Sequence, residues 1–165
     1  MSSAVTLSER VETWRIKGSL EEFRGREIHT YFQDGDGPLL VLLHGFPTCS
    51  YDWRYLVDLM PERAILAFDF LGFGFSDKPR DHSYTLSWQA DLTEELICRK
   101  WGDRPAFVCA HDFGSSVATE LLASSVMEKL VEQLYERYPD RIILFDSPPL
   151  LAAPEPRVLA QHMGQ

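Results

Sequence analysis

Four short apolar runs, separated by stretches of helical pattern, constrain the fold of this chain more than any other feature. The runs lie at residues 38–43, 64–68, 106–109 and 142–145, and the helical patterns lie at 51–59, 85–100 and 115–138. An apolar run without polar alternation is typical of a strand that is buried on both faces, as in a parallel sheet. The alternation therefore predicts an α/β protein with three layers, α/β/α, around a mostly parallel sheet.

The region before these runs has a different pattern. Residues 12–34 alternate between apolar and polar and contain turn signals at Gly18 and Gly25. This pattern predicts two antiparallel strands, at about Thr13–Leu20 and Glu27–Gln33. With 165 residues in all, we expect a single domain over residues 1–165.

Charge and cysteine content restrict the partners and the compartment. The net charge of −9 disfavours nucleic acid and anionic membrane surfaces as partners. No apolar run reaches membrane-spanning length, and the N-terminal residues are charged where a signal peptide needs an apolar core. Cys49, Cys98 and Cys109 are odd in number and widely spaced, which predicts free thiols, no metal site and a cytoplasmic location.

One acidic residue lies where a predicted strand passes into a predicted helix. Asp112 is at the centre of the run AHDFGS, and small residues lie two positions away on each side, at Ala110 and Gly114. A nucleophile on a sharp strand-to-helix turn leaves no room for side chains at those two positions. The alternative is an ordinary N-cap aspartate at the start of a helix.

Two further loops should lie beside this turn, because the carboxyl ends of parallel strands meet at one edge of the sheet. They are LLHGFP, which includes His44, and DFLGFGFSDKP, which includes Asp69. With the run AHDFG, the chain resembles the α/β-hydrolase superfamily over about residues 12–123. The closer likeness is to the branch with an aspartate nucleophile, the epoxide hydrolases and haloalkane dehalogenases.

The resemblance implies a set of roles. Asp112 would attack an electrophilic carbon of a small-molecule substrate and form an ester, without a cofactor or a metal. The backbone N–H groups of Phe46 and Phe113 would form an oxyanion hole. His44 would order its loop by hydrogen bonds, and His111 would point away from the Asp112 side chain. The full set of site-shaping positions is His44, Gly45, Pro47, Asp69, Gly72, Gly74, Ser76, His111 and Gly114.

Departures from the family pattern leave the activity open. Haloalkane dehalogenases usually carry a tryptophan after the nucleophile to hold the halide, whereas Phe113 has no side-chain donor. We expect a truncated core without the cap domain from which epoxide hydrolases supply their tyrosines. The His base and its acid partner should also be absent, because His162 is the one histidine after Asp112, and Asp140 and Asp146 have no histidine placed to use them.

The last segment resembles a second family. The strand IILF followed by Asp146 and SPP is similar to the Walker B region of bacterial exopolysaccharide tyrosine autokinases. No G-x-x-x-x-G-K-[ST] loop accompanies it, so kinase activity and ATP binding are not expected. These observations predict a chimera joined near 118–123, with residues 124–165 of P-loop kinase-like origin.

Three interpretations remain open at this point. The chain could form the ester without completing turnover, or be a catalytically inactive truncated or chimeric fold. It could also be a partner-binding fragment that self-associates through an exposed sheet edge.

Overall fold

A computed structural model describes residues 6–123 as four α-helices, a 3-10 helix and one five-stranded sheet. In chain order the elements are α1 (Leu7–Lys17), β1 (Ser19–Phe23), β2 (Arg26–Gln33), β3 (Asp36–Leu43), the 3-10 helix (Ser50–Trp53), α2 (Arg54–Leu59), β4 (Arg63–Phe68), α3 (Leu86–Trp101), β5 (Ala106–Ala110) and α4 (Phe113–Ala123).

The sheet has the strand order β1-β2-β4-β3-β5. Strand β3 pairs in parallel with both β4 and β5, so the three predicted apolar strands within the described residues form the expected parallel core. Strand β2 pairs antiparallel with β1 and with β4, which makes the sheet as a whole mixed. The carboxyl ends of β3, β4 and β5 consequently lie at the same edge.

Helices cover both faces of the sheet and give the predicted three layers. On one face Leu42 and Ile65 pack in a cluster with Trp14 of α1 and Val57 of α2. On the other face alternate residues of the same strands pack against α3 and α4. Neighbouring strand residues therefore point into different layers, which explains why the runs are continuously apolar.

The strand predicted at about Thr13–Leu20 is wrong, because α1 extends to Lys17 and β1 begins only at Ser19. Thr6 and Glu9 form a reciprocal capping box that starts the helix. The apolar and polar alternation of the residues that follow obscured this signal. The helix buries Trp14, whose indole stacks on Tyr31 with ring centroids 4.7 Å apart. Tertiary packing of one aromatic side chain thus overrides a weak period-two pattern.

Several predictions concern residues outside the described range 6–123. The helical pattern at 115–138 is described as far as Ala123, and the strand at 142–145 and the kinase-like segment 124–165 lie outside. None of the described helices is long and apolar enough to cross a membrane. The three cysteines are free in the described structure, while a cytoplasmic location stays a prediction.

Candidate active site

The turn between β5 and α4 holds Asp112 in an uncommon backbone conformation. Its φ angle is +49°, in the left-handed region that non-glycine residues rarely adopt. Gly114 N–H and Ser115 N–H donate back to the carbonyls of His111 and Asp112, each at 2.9 Å, and close a tight turn. The Asp112 side chain lies exposed at the carboxyl edge of the sheet, immediately before the first residue of α4.

The loop after β3 meets this aspartate directly. Phe46 N–H donates a hydrogen bond of 2.8 Å to Asp112 Oδ2, across 66 positions of sequence. The other carboxylate oxygen, Oδ1, accepts no hydrogen bond from residues 6–123, and within the same range Phe113 N–H donates to no acceptor. One oxygen of the carboxylate is thus fixed by a backbone donor, and the other remains available.

The turn can lie this close to β3 because Gly114 has no side chain. A Cβ atom at Gly114 would lie 2.5 Å from the Leu43 carbonyl oxygen and 2.7 Å from that of His44. Both neighbours are backbone atoms, so any larger residue would push α4 away from β3. The small residue predicted at this position is required by a close approach of two backbone segments.

His44 orders the loop through both of its ring nitrogens. Its Nε2 accepts a hydrogen bond of 3.1 Å from Phe70 N–H, so Nδ1 carries the proton and donates to the Gly45 carbonyl at 2.9 Å. Burial lowers the pKa of His44 below its usual value of 6.5. The imidazole is therefore neutral, and both of its nitrogens form hydrogen bonds with the backbone, one to the loop after β3 and one to the loop after β4.

Asp69, at the end of β4, holds the glycine-rich loop in place. Its carboxylate is fully buried and accepts hydrogen bonds from Ser50 N–H at 2.8 Å and Phe75 N–H at 2.7 Å. Ser76 Oγ donates to the Asp69 carbonyl at 2.6 Å. Gly74, with a φ of +47°, lies directly against the carboxylate, where a Cβ atom would collide with Asp69 Oδ2.

Two residues that the sequence analysis did not single out connect α1 to this buried carboxylate. His29 Nδ1 lies 3.6 Å from Asp69 Oδ2, and its Nε2 donates to the Arg15 carbonyl at 3.1 Å. Trp14 Nε1 donates to Ser50 Oγ at 3.0 Å. No sequence signal pointed to His29, because a single histidine in a strand with both polar and apolar residues is not diagnostic of any one role.

Aromatic side chains form a wall beside Asp112. Phe113 contacts Phe70 and Phe73, with ring centroids 5.4 and 5.5 Å apart, and Phe46 contacts Phe73 at 6.2 Å. The Phe46 ring is 67% exposed. The loops next to the Asp112 turn therefore carry a cluster of aromatic rings, and Phe113 offers no side-chain donor.

The remaining predicted positions lie around this centre. Gly72, with a φ of +95°, is covered by Tyr84, and the Phe46–Pro47 peptide bond is cis. His111 lines an open recess with Trp53 and Cys109, and Asp112 does not contribute to that lining. Gly45 lies between His111 and Asp112, since a Cβ atom on it would be 3.0 Å from a carbon of each.

Other predicted groups are not brought to the site. Asp140, Asp146 and His162 lie outside the described residues. Within residues 6–123, no group of three or more His, Cys, Asp or Glu side chains could hold a metal ion.

Comparison with known proteins agrees with the α/β fold described above. Residues 38–142 match the family model of the alpha/beta hydrolase fold. The mesoderm-specific transcript protein of Mus musculus is 42% identical over 125 residues, which cover 70% of this chain and 36% of that protein. Epoxide hydrolase 3 of Mus musculus is 31% identical over 133 residues, covering 79% and 33%. The solved structure of the epoxide hydrolase CorEH without ligand superposes with a TM-score of 0.58 at 31% identity, covering 64% of this chain and 36% of that one.

The chain spans about a third of the length of these curated relatives. The family match continues to residue 142, beyond the junction predicted near 118–123. A kinase-like origin of residues 124–165 stays a prediction.

The first prediction concerns the buried carboxylate. We expect Asp69→Asn to lower the free energy of unfolding by about 1–3 kcal/mol, because the new amide N–H₂ group would face a backbone donor in place of an acceptor oxygen. Asp91→Asn is the matched control, since Asp91 is half exposed and forms only a surface ion pair with Arg24. Urea unfolding of both variants measures the difference. Equal losses in the two variants would contradict the role of Asp69.

The second prediction concerns pH. Burial lowers the pKa of His44 in the folded chain. Below pH 6.5, the His44 imidazole is therefore protonated in the unfolded chain before it is protonated in the folded chain. The free energy of unfolding should therefore fall as the pH drops from 6.5, by up to about 1.4 kcal/mol per pH unit. His44→Gln should lose this contribution, so the wild-type curve minus the variant curve isolates it. Parallel curves between pH 6.5 and 5 would show that His44 does not carry the effect.

Proposed function

This chain belongs to the alpha/beta hydrolase fold family, and on that premise we propose that Asp112 is a nucleophile that forms an alkyl-enzyme ester with a small-molecule epoxide. The observation that carries the proposal is the hydrogen bond from Phe46 N–H to Oδ2 of an exposed aspartate in a left-handed turn. A solvated N-cap aspartate needs neither the strained backbone nor a donor from a distant loop. The epoxide hydrolases among the relatives support the substrate class.

The geometry distinguishes the two carboxylate oxygens. Oδ2 is held by Phe46 N–H, so Oδ1 is the atom that attacks a ring carbon of the epoxide. The ring C–O bond breaks, its electron pair stays on the ring oxygen, and that oxygen takes a proton from water. The product is a hydroxyalkyl ester of Asp112 in which Oδ2 is the carbonyl oxygen.

The same hydrogen bond would serve the second step. Water that attacks the ester carbonyl carbon places negative charge on Oδ2, which already faces Phe46 N–H, while Phe113 N–H is a second available donor. This step needs a base, and we assign none among residues 6–123. His44 is unsuited because both of its nitrogens bind backbone groups. With residues 6–123 alone, the ester would accumulate.

An alkyl halide is the less favoured substrate. A departing halide needs N–H donors at the site, and Phe113 supplies a ring without one. An epoxide keeps its leaving oxygen attached to the carbon skeleton and can be protonated by water. The apolar wall of Phe46, Phe73 and Phe113 would contact the hydrocarbon part of either substrate.

The third prediction is a covalent adduct. Incubation of the full chain with styrene oxide should raise its intact mass by the mass of the whole epoxide, and peptide mapping should place the label on Asp112. Asp112→Asn should show no adduct in the peptide that contains residue 112, because the neutral amide is a poor nucleophile, whereas Asp91→Asn should react there like the wild type. A benzyl halide would instead add only its benzyl group, since the halide leaves.

Each outcome of this experiment decides between the interpretations. A wild-type label that maps only to other residues, such as the exposed thiol of Cys98, would contradict the assignment of the nucleophile. A folded wild-type chain without any adduct would leave the noncatalytic alternatives. One of these, partner binding, rests on β5, whose only strand partner within residues 6–123 is β3. Self-association through that edge would then appear as a dimer in sedimentation.

A further inference from the structure

A second recess lies between α1 and the segment that contains the 3-10 helix and α2, in the layer opposite to α3 and α4. Its volume is about 350 Å³. Within each segment the lining residues recur at spacings of three and four positions and therefore share one helical face. The two faces lie on opposite sides of the recess, and their residues are Arg10, Thr13, Trp14 and Lys17 on α1, and Tyr51, Arg54, Tyr55 and Asp58 on the other segment. Neither Phe46 nor Asp112 contributes to this recess, which is therefore distinct from the candidate active site.

Positive charge is concentrated at this recess. Arg10, Lys17 and Arg54 line it, and Asp58 is the one acidic residue among the lining residues. The chain as a whole has 25 acidic and 16 basic residues, so such a cluster runs against the overall charge. Within the described residues none of the three cations forms an ion pair with a carboxylate.

Some of the cations elsewhere on the described surface have acidic partners. Five of them are paired at 2.5–3.5 Å: Arg15 with Glu12, Arg24 with Asp91, Arg26 with Asp81, Arg99 with Glu95 and Lys100 with Glu21. Arg63, Lys78, Arg80 and Arg104 also lack a carboxylate partner within the described residues, but none of them lines this recess. What distinguishes the recess is that three unpaired cations line one open space. Arg10, Lys17 and Arg54 are therefore available to bind an anionic ligand.

Arg54 is fixed in the wall of the recess with donors to spare. Its guanidinium lies over the Tyr51 and Tyr55 rings, 4.2 and 4.0 Å from their centroids, and one terminal nitrogen donates to the Tyr51 carbonyl at 3.1 Å. Its Nε is buried without a hydrogen-bond partner in the described structure. The Arg54 guanidinium, together with the charge of Arg10, lowers the pKa of the Tyr55 phenol.

The other walls are flat aromatic rings. Trp14 is buried, stacked on Tyr31 and held by its hydrogen bond to Ser50, so its position is set before any ligand arrives. Tyr51 lies edge-on to it, with ring centroids 6.4 Å apart. Rigid rings beside a stacked guanidinium match the face of a planar apolar molecule.

We propose that this recess binds an organic anion with a flat apolar body, such as an aromatic carboxylate. The carboxylate faces Arg10, Lys17 and Arg54, and the ring lies against Trp14 and the tyrosines. A volume of about 350 Å³ is at the lower end of ligand sites and fits a molecule of two fused rings. Because Arg10 and Lys17 are exposed, the affinity is modest, with a dissociation constant of about 1 mM or somewhat below.

The test uses three naphthalene derivatives and the isotope-labelled full chain. Naphthoate should shift the amide NMR signals of α1 and of residues 51–58, and should bind at least about threefold more tightly than neutral naphthalenemethanol, with cationic naphthylmethylammonium weakest. In the double variant Arg10→Gln/Lys17→Gln, the preference for naphthoate over the alcohol should shrink, because Arg54 alone then faces the carboxylate. Arg80→Gln removes an exposed cation outside the recess and should leave the affinity unchanged.

The proposal is overturned by any of three results. These are equal affinity for the anion and the alcohol, an equal loss in Arg80→Gln, and no shifts at α1 and residues 51–58 up to about 10 mM naphthoate. Shifts confined to Phe46 and Asp112 would instead place the anion at the candidate active site. The outcome does not depend on the nucleophile assigned to Asp112, because none of these measurements requires turnover.

Discussion

The candidate site depends on one packing constraint, the close contact between the first turn of α4 and the end of β3. The parallel pairing of β3 with β5 runs as far as Leu43 opposite Ala110, and His111 N–H then donates to the Leu43 carbonyl at 3.1 Å. Gly114 passes over the same carbonyl with no room for a Cβ atom. Because both strands end together, the loop after β3 brings Phe46 N–H to the carboxylate of Asp112. The register of β3 against β5 therefore sets the distance between Phe46 N–H and the Asp112 carboxylate, although the two loops are far apart in the sequence.

A buried charge fixes the other side of the same edge. Asp69 is fully inaccessible to solvent, and a carboxylate in that position is tolerated only when donors replace its hydration. Ser50 N–H and Phe75 N–H supply them from two loops, and the Ser76 hydroxyl binds the carbonyl of the same residue. Asp69, after β4, thus holds two loops in place through their backbone N–H groups, whereas Asp112, after β5, is exposed. Asp69 and Asp112 follow the two strands on either side of β3, and they have different roles because one is enclosed by N–H groups and the other is exposed.

The sequence predicted the parallel core because the patterns there are redundant. The runs at 38–43, 64–68 and 106–109, which form most of β3, β4 and β5, contain no charged residue. Of the two antiparallel strands predicted at the N-terminus, the second is confirmed as β2, and the first was placed too early. The error arose because α1 depends on a capping box and on the packing of Trp14, neither of which follows from periodicity. In the site, glycine and aspartate positions were predictable from turn chemistry. The contribution of His29 was not, because its partner Arg15 carbonyl belongs to a helix that the pattern did not reveal.

The recess and the candidate site share a hydrogen-bonded connection. Trp14 lines the recess and donates to Ser50 Oγ, and Ser50 N–H in turn binds the Asp69 carboxylate beneath the glycine-rich loop. Contact of this kind transmits a change only when the intervening groups have two arrangements of similar free energy. Here Trp14 is stacked on Tyr31, and both oxygens of Asp69 accept backbone hydrogen bonds. A second arrangement would leave a buried carboxylate without a donor, which is costly. The connection therefore favours rigid support of the glycine-rich loop over switching, and α1 stabilises the candidate site by holding Asp69 in one position.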